Sequence, residues 1–197
     1  YNENYEMPAM PEGAREGIIR GIYRFAEAAN GGKRRATILF SGSIQGPARE
    51  AARLLGENHD VAVEAWSVTS YKALREDALS CERWNRLHPT EEANTPFVTE
   101  QLSSAEGPVV AVSDFMKAVP DQIAWWVPAP FLALGTDGFG RSDTREALRS
   151  HFEVDAGHIV VAVLKALADC GDAKADEVED AIKAYGIDPD APDPRSA

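Results

Sequence analysis

The chain predicts an α/β fold, a mostly parallel sheet covered by helices on both faces. Four apolar runs, 36–40, 61–68, 109–113 and 131–135, are continuous rather than alternating, as strands buried on both sides are. Helix-length segments separate them, and glycine or proline punctuates several junctions, so the order is strand, turn, helix, repeated.

The elements follow in order. Residues 1–10 read as an extended arm, because Pro8 and Pro11 remove backbone donors and the apolar spacing is not helical. A helix is expected from Pro11, with Glu12 in its first turn, Ile18, Ile22, Phe25 and Ala29 at helical spacing, and Gly31 and Gly32 at its end. The strand "ATILF" then enters "SGSIQGP" and a helix carrying Ala48, Ala52 and Leu55. After the second strand, 61–68, comes a long helix over 71–87, and a further strand is expected over 95–100. The strand 109–113 is followed by Asp114, placed to cap the next turn, and by a short helix over 123–127 that Pro128 and Pro130 end.

Beyond the last strand, Asp143 with Glu146 three residues later predicts a capping box and a helix start. Asp155 caps a second helix, whose Ile159, Val160, Val163, Leu164 and Leu167 form a broad face for the sheet. A last helix over 175–185 stops at Gly186, and 187–197, rich in proline and aspartate, reads as a loosely held tail. Residues 11–186 are therefore expected to form one domain, within the size range of a single core.

Composition excludes several functions. The 197 residues carry 32 acidic and 20 basic side chains, a formal charge of -12, with Lys33, Arg34 and Arg35 as the one basic cluster. Nucleic acid needs a basic face, so it is not an expected partner. No apolar run approaches the roughly 20 residues of a membrane-spanning helix, and a cytoplasmic location is expected. Cys81 and Cys170 lie far apart, and the four histidines lack metal-ligand spacing, so no metal site is expected.

The candidate chemistry narrows to three places. The turn "SGSIQG" aims a helix N-terminus where an anion could sit, yet it lacks a P-loop lysine and fits neither GxGxxG nor GxSxG; it also reads as a tight strand-to-helix turn. The loop "GTDGFGRSD" places Asp137, Phe139, Arg141 and Asp143 after a strand. Arg141 can clamp a carboxylate there, or be held by its aspartates for a domain or subunit contact. "SCERWNRLHP" and "WWVP" put Arg83, Trp84 and Trp126 on helical surfaces that resemble an interface, since two adjacent tryptophans cannot both point inward. No catalytic or cofactor-binding residue emerges: His151 and His158 lie near helix ends, where packing roles are commoner.

Three stretches together, "NENYEMPAMPEG", "SVTSY" with "CERWNRLHP", and "LGTDGFGRSDTREALRSHFEVDA", resemble the carboxyl-terminal domain of the homodimeric bacterial pyruvate dehydrogenases. The resemblance runs to the ending "DPRSA". It implies a three-layer α/β/α sandwich with a five-stranded sheet and one antiparallel edge strand. It also implies membership of an enzyme that uses thiamine diphosphate and magnesium to decarboxylate pyruvate and to pass the acetyl unit to lipoyl groups of a dihydrolipoyl acetyltransferase component. The family's cofactor motifs belong to preceding domains; here "TDGFG" is followed by "HIVVAVLKA" where a diphosphate-binding motif would carry an asparagine pair. The resemblance thus implies a segment without its own active site, inactive alone, that docks on the remaining domains and helps form the homodimer. The start at Tyr1, with no initiating methionine, fits a fragment. The alternative is a stand-alone α/β module for a small anion or for assembly.

Overall fold

The computed structural model describes residues 8–28 and 31–196. Most of the expected arm, at 1–7, lies outside them, as do Ala29 of the expected first helix and the last residue of the tail.

The described strands form one sheet in the order β1-β3-β2-β4-β5: β1 (Ile22–Ala26), β2 (Arg34–Phe40), β3 (Val61–Val68), β4 (Val109–Val112) and β5 (Phe131–Leu134). β2 pairs in parallel with β3 and β4, β5 adds in parallel to β4, and β1 closes the other edge antiparallel to β3. The result is the mixed, mostly parallel sheet that the resemblance implied.

The alternation of side chains along the buried strands divides the interior into two cores. Ala36, Ile38 and Phe40 of β2, with Val110 and Val112 of β4, face α2 (Gln45–His59), α7 (Ala156–Asp169) and α8 (Ala175–Ala184). Leu39, Val109 and Ala111 face the opposite layer, built from α3 (Tyr71–Leu87), α4 (Phe97–Gln101) and the segment carrying Ile123 and Val127. Helix, sheet and helix make three layers. All five apolar residues expected on the face of α7 are buried, and each such side chain contributes about 1.5–3 kcal/mol by leaving water.

The first expected helix is the largest correction. The helix α1 is only Arg15–Arg20, and Ile22 and Phe25 belong to the strand β1. Gly21 causes the break: its φ of 113° is left-handed, and its carbonyl accepts the amides of Thr69 and Ser70, which turns the chain back along β3. A bulge between Arg24 and Ala26 shifts the register. Ile22 enters the second core, while Phe25 packs edge-on against Phe40 of the first, with ring centroids 5.2 Å apart. The helical spacing of these residues therefore reflects a turn followed by a bulged strand.

Three smaller corrections share one cause, local turn chemistry. The expected strand over 95–100 is α4, where Phe97, Val98 and Leu102 are buried at helical spacing and the Phe97 amide donates to the Asp77 carboxylate at 2.7 Å. The expected helix over 123–127 is a 3-10 turn, Ala124–Trp126, preceded by the short helix α5 (Ala118–Asp121). The N-cap of α6 (Arg145–His151) is Thr144, whose hydroxyl accepts the Ala147 amide, whereas Asp143 accepts the amide of Thr144. Asp155 caps α7 as expected, through the His158 amide.

Candidate functional site

The features singled out in the sequence meet at the carboxyl ends of β2, β4 and β5. Below them the buried hydroxyl of Ser41, just after β2, donates to that of Ser113, just after β4, at 2.8 Å, tying the two strand ends together. Gly42 then takes a φ of 58°, and a side chain there would place its Cβ 2.4 Å from the Asp114 carboxylate. That close approach admits only glycine.

Asp114 does not cap the turn after β4, as the sequence suggested. Its Oδ2 accepts the Ser43 amide at 3.0 Å, across 71 residues, so the carboxylate occupies the positive entrance to α2. The chain's own anion thus fills the place that "SGSIQG" offered to a ligand.

The β5–α6 loop is laced to its neighbours. Asp137 accepts the Lys117 amide at 2.9 Å, and Thr136 bonds to the loop after β4 through both its amide, to the Phe115 carbonyl, and its hydroxyl, to the Asp114 carbonyl. Gly138, at a φ of 101°, lies against the Pro194 carbonyl of the tail. Phe139 is 83% exposed, and Phe115 and Met116 on the adjoining loop are each more than half exposed. Arg141 projects at the rim without a hydrogen bond or ion pair among the described residues, while Arg149 of α6 donates to the Ser43 carbonyl at 2.9 Å.

The second cluster lies on α3, in the other helical layer. Trp84 is half-buried and stacks on His88 at 4.6 Å, and Arg83 is exposed. Trp126 is half-buried and donates its indole N–H to Glu82 at 2.9 Å, which binds the 3-10 turn to α3. Its neighbour Trp125 is the outward one, 86% exposed. Burial, reinforced by Asp77 and Glu100, pushes the Cys81 thiol up and keeps it a poor nucleophile.

The structure separates these residues into two groups and joins none of them into a nucleophile and base. Among the described residues no three His, Cys, Asp or Glu side chains converge as a metal site, and no helix is long and apolar enough to cross a membrane. A magnesium diphosphate does not fit here, because Asp137 of this loop and Asp114 after β4 each turn one oxygen to a backbone amide and converge with no third acidic ligand among the described residues. Sequence reasoning missed Phe115 and Met116, and of the adjacent tryptophans it named Trp126 as the surface candidate where Trp125 is the exposed one. The signal for the first two was present in "SDFMK", where two large apolar residues sit in a polar turn, separated from a strand by two residues.

Residues 21–155, from the edge strand through the glycine loop, match the family described as the transketolase-like C-terminal domain. The chain belongs to that family. Among relatives, the pyruvate dehydrogenase E1 component of Escherichia coli K12 is 49% identical over 197 residues, covering 100% of this chain and 22% of the relative. That of Pseudomonas aeruginosa is 47% identical over 194 residues, covering 98% and 22%. The E1 component of Mycobacterium tuberculosis is 47% identical over 189 residues, covering 95% and 20%. This family member thus spans about a fifth of the length of the curated relatives it matches. Among solved structures, a transketolase from Leishmania mexicana aligns with a TM-score of 0.49 at 20% identity, covering 81% of this chain and 20% of that one.

Proposed function

We propose that this chain is the C-terminal domain of a pyruvate dehydrogenase E1 component and that its work there is assembly, not chemistry. One observation carries the reading: identity of 49% runs from end to end of the chain yet meets only 22% of the relative. A domain retained at that level along its whole length belongs to the same kind of polypeptide. On this reading the full-length protein decarboxylates pyruvate oxidatively and transfers the acetyl unit to lipoyl groups of a dihydrolipoyl acetyltransferase component in the cytoplasm. Thiamine diphosphate and magnesium are held by other parts of the polypeptide on this reading, in keeping with Asp137 and Asp114 each turning an oxygen to a backbone amide of this chain.

The assembly role is supported by the exposed apolar side chains of Phe115, Met116 and Phe139, on two loops bonded to each other through Thr136 and Asp137. Exposed apolar residues on loops tied to each other suit a permanent neighbour better than water. Here that neighbour is the rest of the polypeptide or its dimer mate.

The test is an assay of the full-length polypeptide that contains this chain, with pyruvate, thiamine diphosphate, magnesium and a lipoylated acceptor domain. Acetylated lipoyl groups formed at the expense of pyruvate are the expected product. A full-length polypeptide of the relatives' size that binds thiamine diphosphate but leaves pyruvate untouched overturns the reading.

A further inference from the structure

The winding of the sheet reverses between β2 and β4: β2 leads through α2 to β3 on one side, and β3 leads through α3 and α4 to β4 on the other. Doubly wound sheets open a ligand crevice at the carboxyl ends of the strands at such a point. A cavity of about 330 Å³ lies there, within the size range of small-molecule sites.

Its lining is chemically divided. Arg141, Arg145 and Arg149 supply one side, and Ile44, Leu148 and Phe152 supply an apolar floor. Among the described residues one carboxylate lines it, Asp114, whose Oδ2 accepts the Ser43 amide while its Oδ1 is buried without a hydrogen-bond partner, so the three guanidinium groups outnumber the acidic ones. A chain of formal charge -12 therefore gathers three guanidinium groups around one pocket. Arg141 has no internal partner, and the recorded bond of Arg149 goes to the neutral Ser43 carbonyl, so neither charge is matched within the described residues.

We infer that this cavity binds a small organic anion, a carboxylate or a phosphate monoester, whose head meets the arginines and whose short apolar body lies on Ile44, Leu148 and Phe152. Guanidinium forks suit both heads, and the excess of positive charge excludes a cationic ligand. The bond from Arg149 to the turn before α2 fixes one wall of the site in advance of binding. A ligand seated there would touch the strand ends of β2 and β4 and the β5–α6 loop at once. This site is built from side chains of this chain alone and does not depend on the pyruvate reading.

Calorimetric titration of the full-length polypeptide with hexanoate, and with hexanamide as its neutral counterpart, tests the assignment. Hexanoate is expected to bind, with hexanamide about tenfold weaker or worse. Arg141→Gln and Arg149→Gln should each weaken hexanoate about tenfold, while Arg86→Gln, on the exposed end of α3, leaves it unchanged. Because Arg141 makes no bond among the described residues, its variant separates loss of binding from loss of fold. Displacement of hexanoate by inorganic phosphate assigns the phosphate class, and failure to displace it assigns the carboxylate class. No hexanoate binding, equal binding of hexanamide, or arginine variants that bind as the wild type does would each overturn the site.

Discussion

At the scale of single residues, the contact of Gly42 with Asp114 shows how much of a turn is decided elsewhere in the chain. "SGSIQG" was legible as a strand-to-helix turn, but not the carboxylate that fills it, because the partner lies 71 residues away. Gly42→Ala meets two obstacles, a φ of 58° and a Cβ 2.4 Å from Asp114, and should cost roughly 2–4 kcal/mol of stability. Asp114→Ala removes an acceptor from the N-terminus of α2 and should cost about 1 kcal/mol. It also removes the atoms that an alanine at 42 would strike. The double variant is therefore expected to be more stable than the sum of the two single losses requires, by at least 0.5 kcal/mol, roughly the smallest coupling that a double-mutant cycle resolves. Urea unfolding of the four proteins measures it; strict additivity would mean that the left-handed backbone alone makes the glycine necessary.

At the scale of elements, the parallel strands and the long helices were legible because each carries its burial in its own sequence. The edge strand β1 was not, because its pairing with β3 depends on Gly21 and on amides 48 and 49 residues further along, Thr69 and Ser70. The helix α8 was legible in place but not in attachment. Tyr185, just past its end, shares a hydrogen bond of 3.0 Å with His59 at the end of α2, and Glu177 in its first turn accepts from Arg34 at 2.6 Å. Burial holds His59 below the usual histidine range, with Arg34 adding to it and Glu177 opposing; the Arg34 bond holds Glu177 below the usual carboxylate range. Both groups have a folded pKa lower than their unfolded one, so both bind protons more readily unfolded. Their contributions are present above the unfolded values, 6.5 and 4.5, and decline as pH falls through each in turn. The prediction is that α8 loosens towards acid in two stages. Amide exchange across Ala175–Ala184, corrected for intrinsic rate, should speed up relative to α7 between pH 7.5 and 5.5. His59→Gln should remove that first stage, and Glu177→Gln the second, which sets in below pH 5. Equal acceleration of α7 and α8 would mean that these pairs do not act as a latch.

At the scale of the whole molecule, charge and apolar surface pull in opposite directions. A formal charge of -12 keeps copies of the chain apart in dilute salt, yet Phe115, Met116 and Phe139 are exposed on two loops bonded to each other through Thr136 and Asp137. Single exposed apolar residues are ordinary, but apolar residues on loops already tied to each other lose less entropy when something covers them. Exposed side chains contribute within about 0.5 kcal/mol to folding, so substitution here separates assembly from stability. In the full-length polypeptide, Phe115→Ser with Phe139→Ser is expected to leave the unfolding midpoint of this domain unchanged. On the proposed assembly reading, in which the full-length polypeptide is a dimer that turns over pyruvate, the same pair should raise the dimer dissociation constant about tenfold or more, read by sedimentation over a dilution series. Pyruvate turnover should then fall with dilution more steeply than in the wild type, since the loss acts through association. A variant that dissociates as the wild type does, and turns over as the wild type does, would place the two phenylalanines in solvent in the assembled protein. The assembly surface would then have to be sought on the opposite layer, around Trp125 and the exposed end of α3.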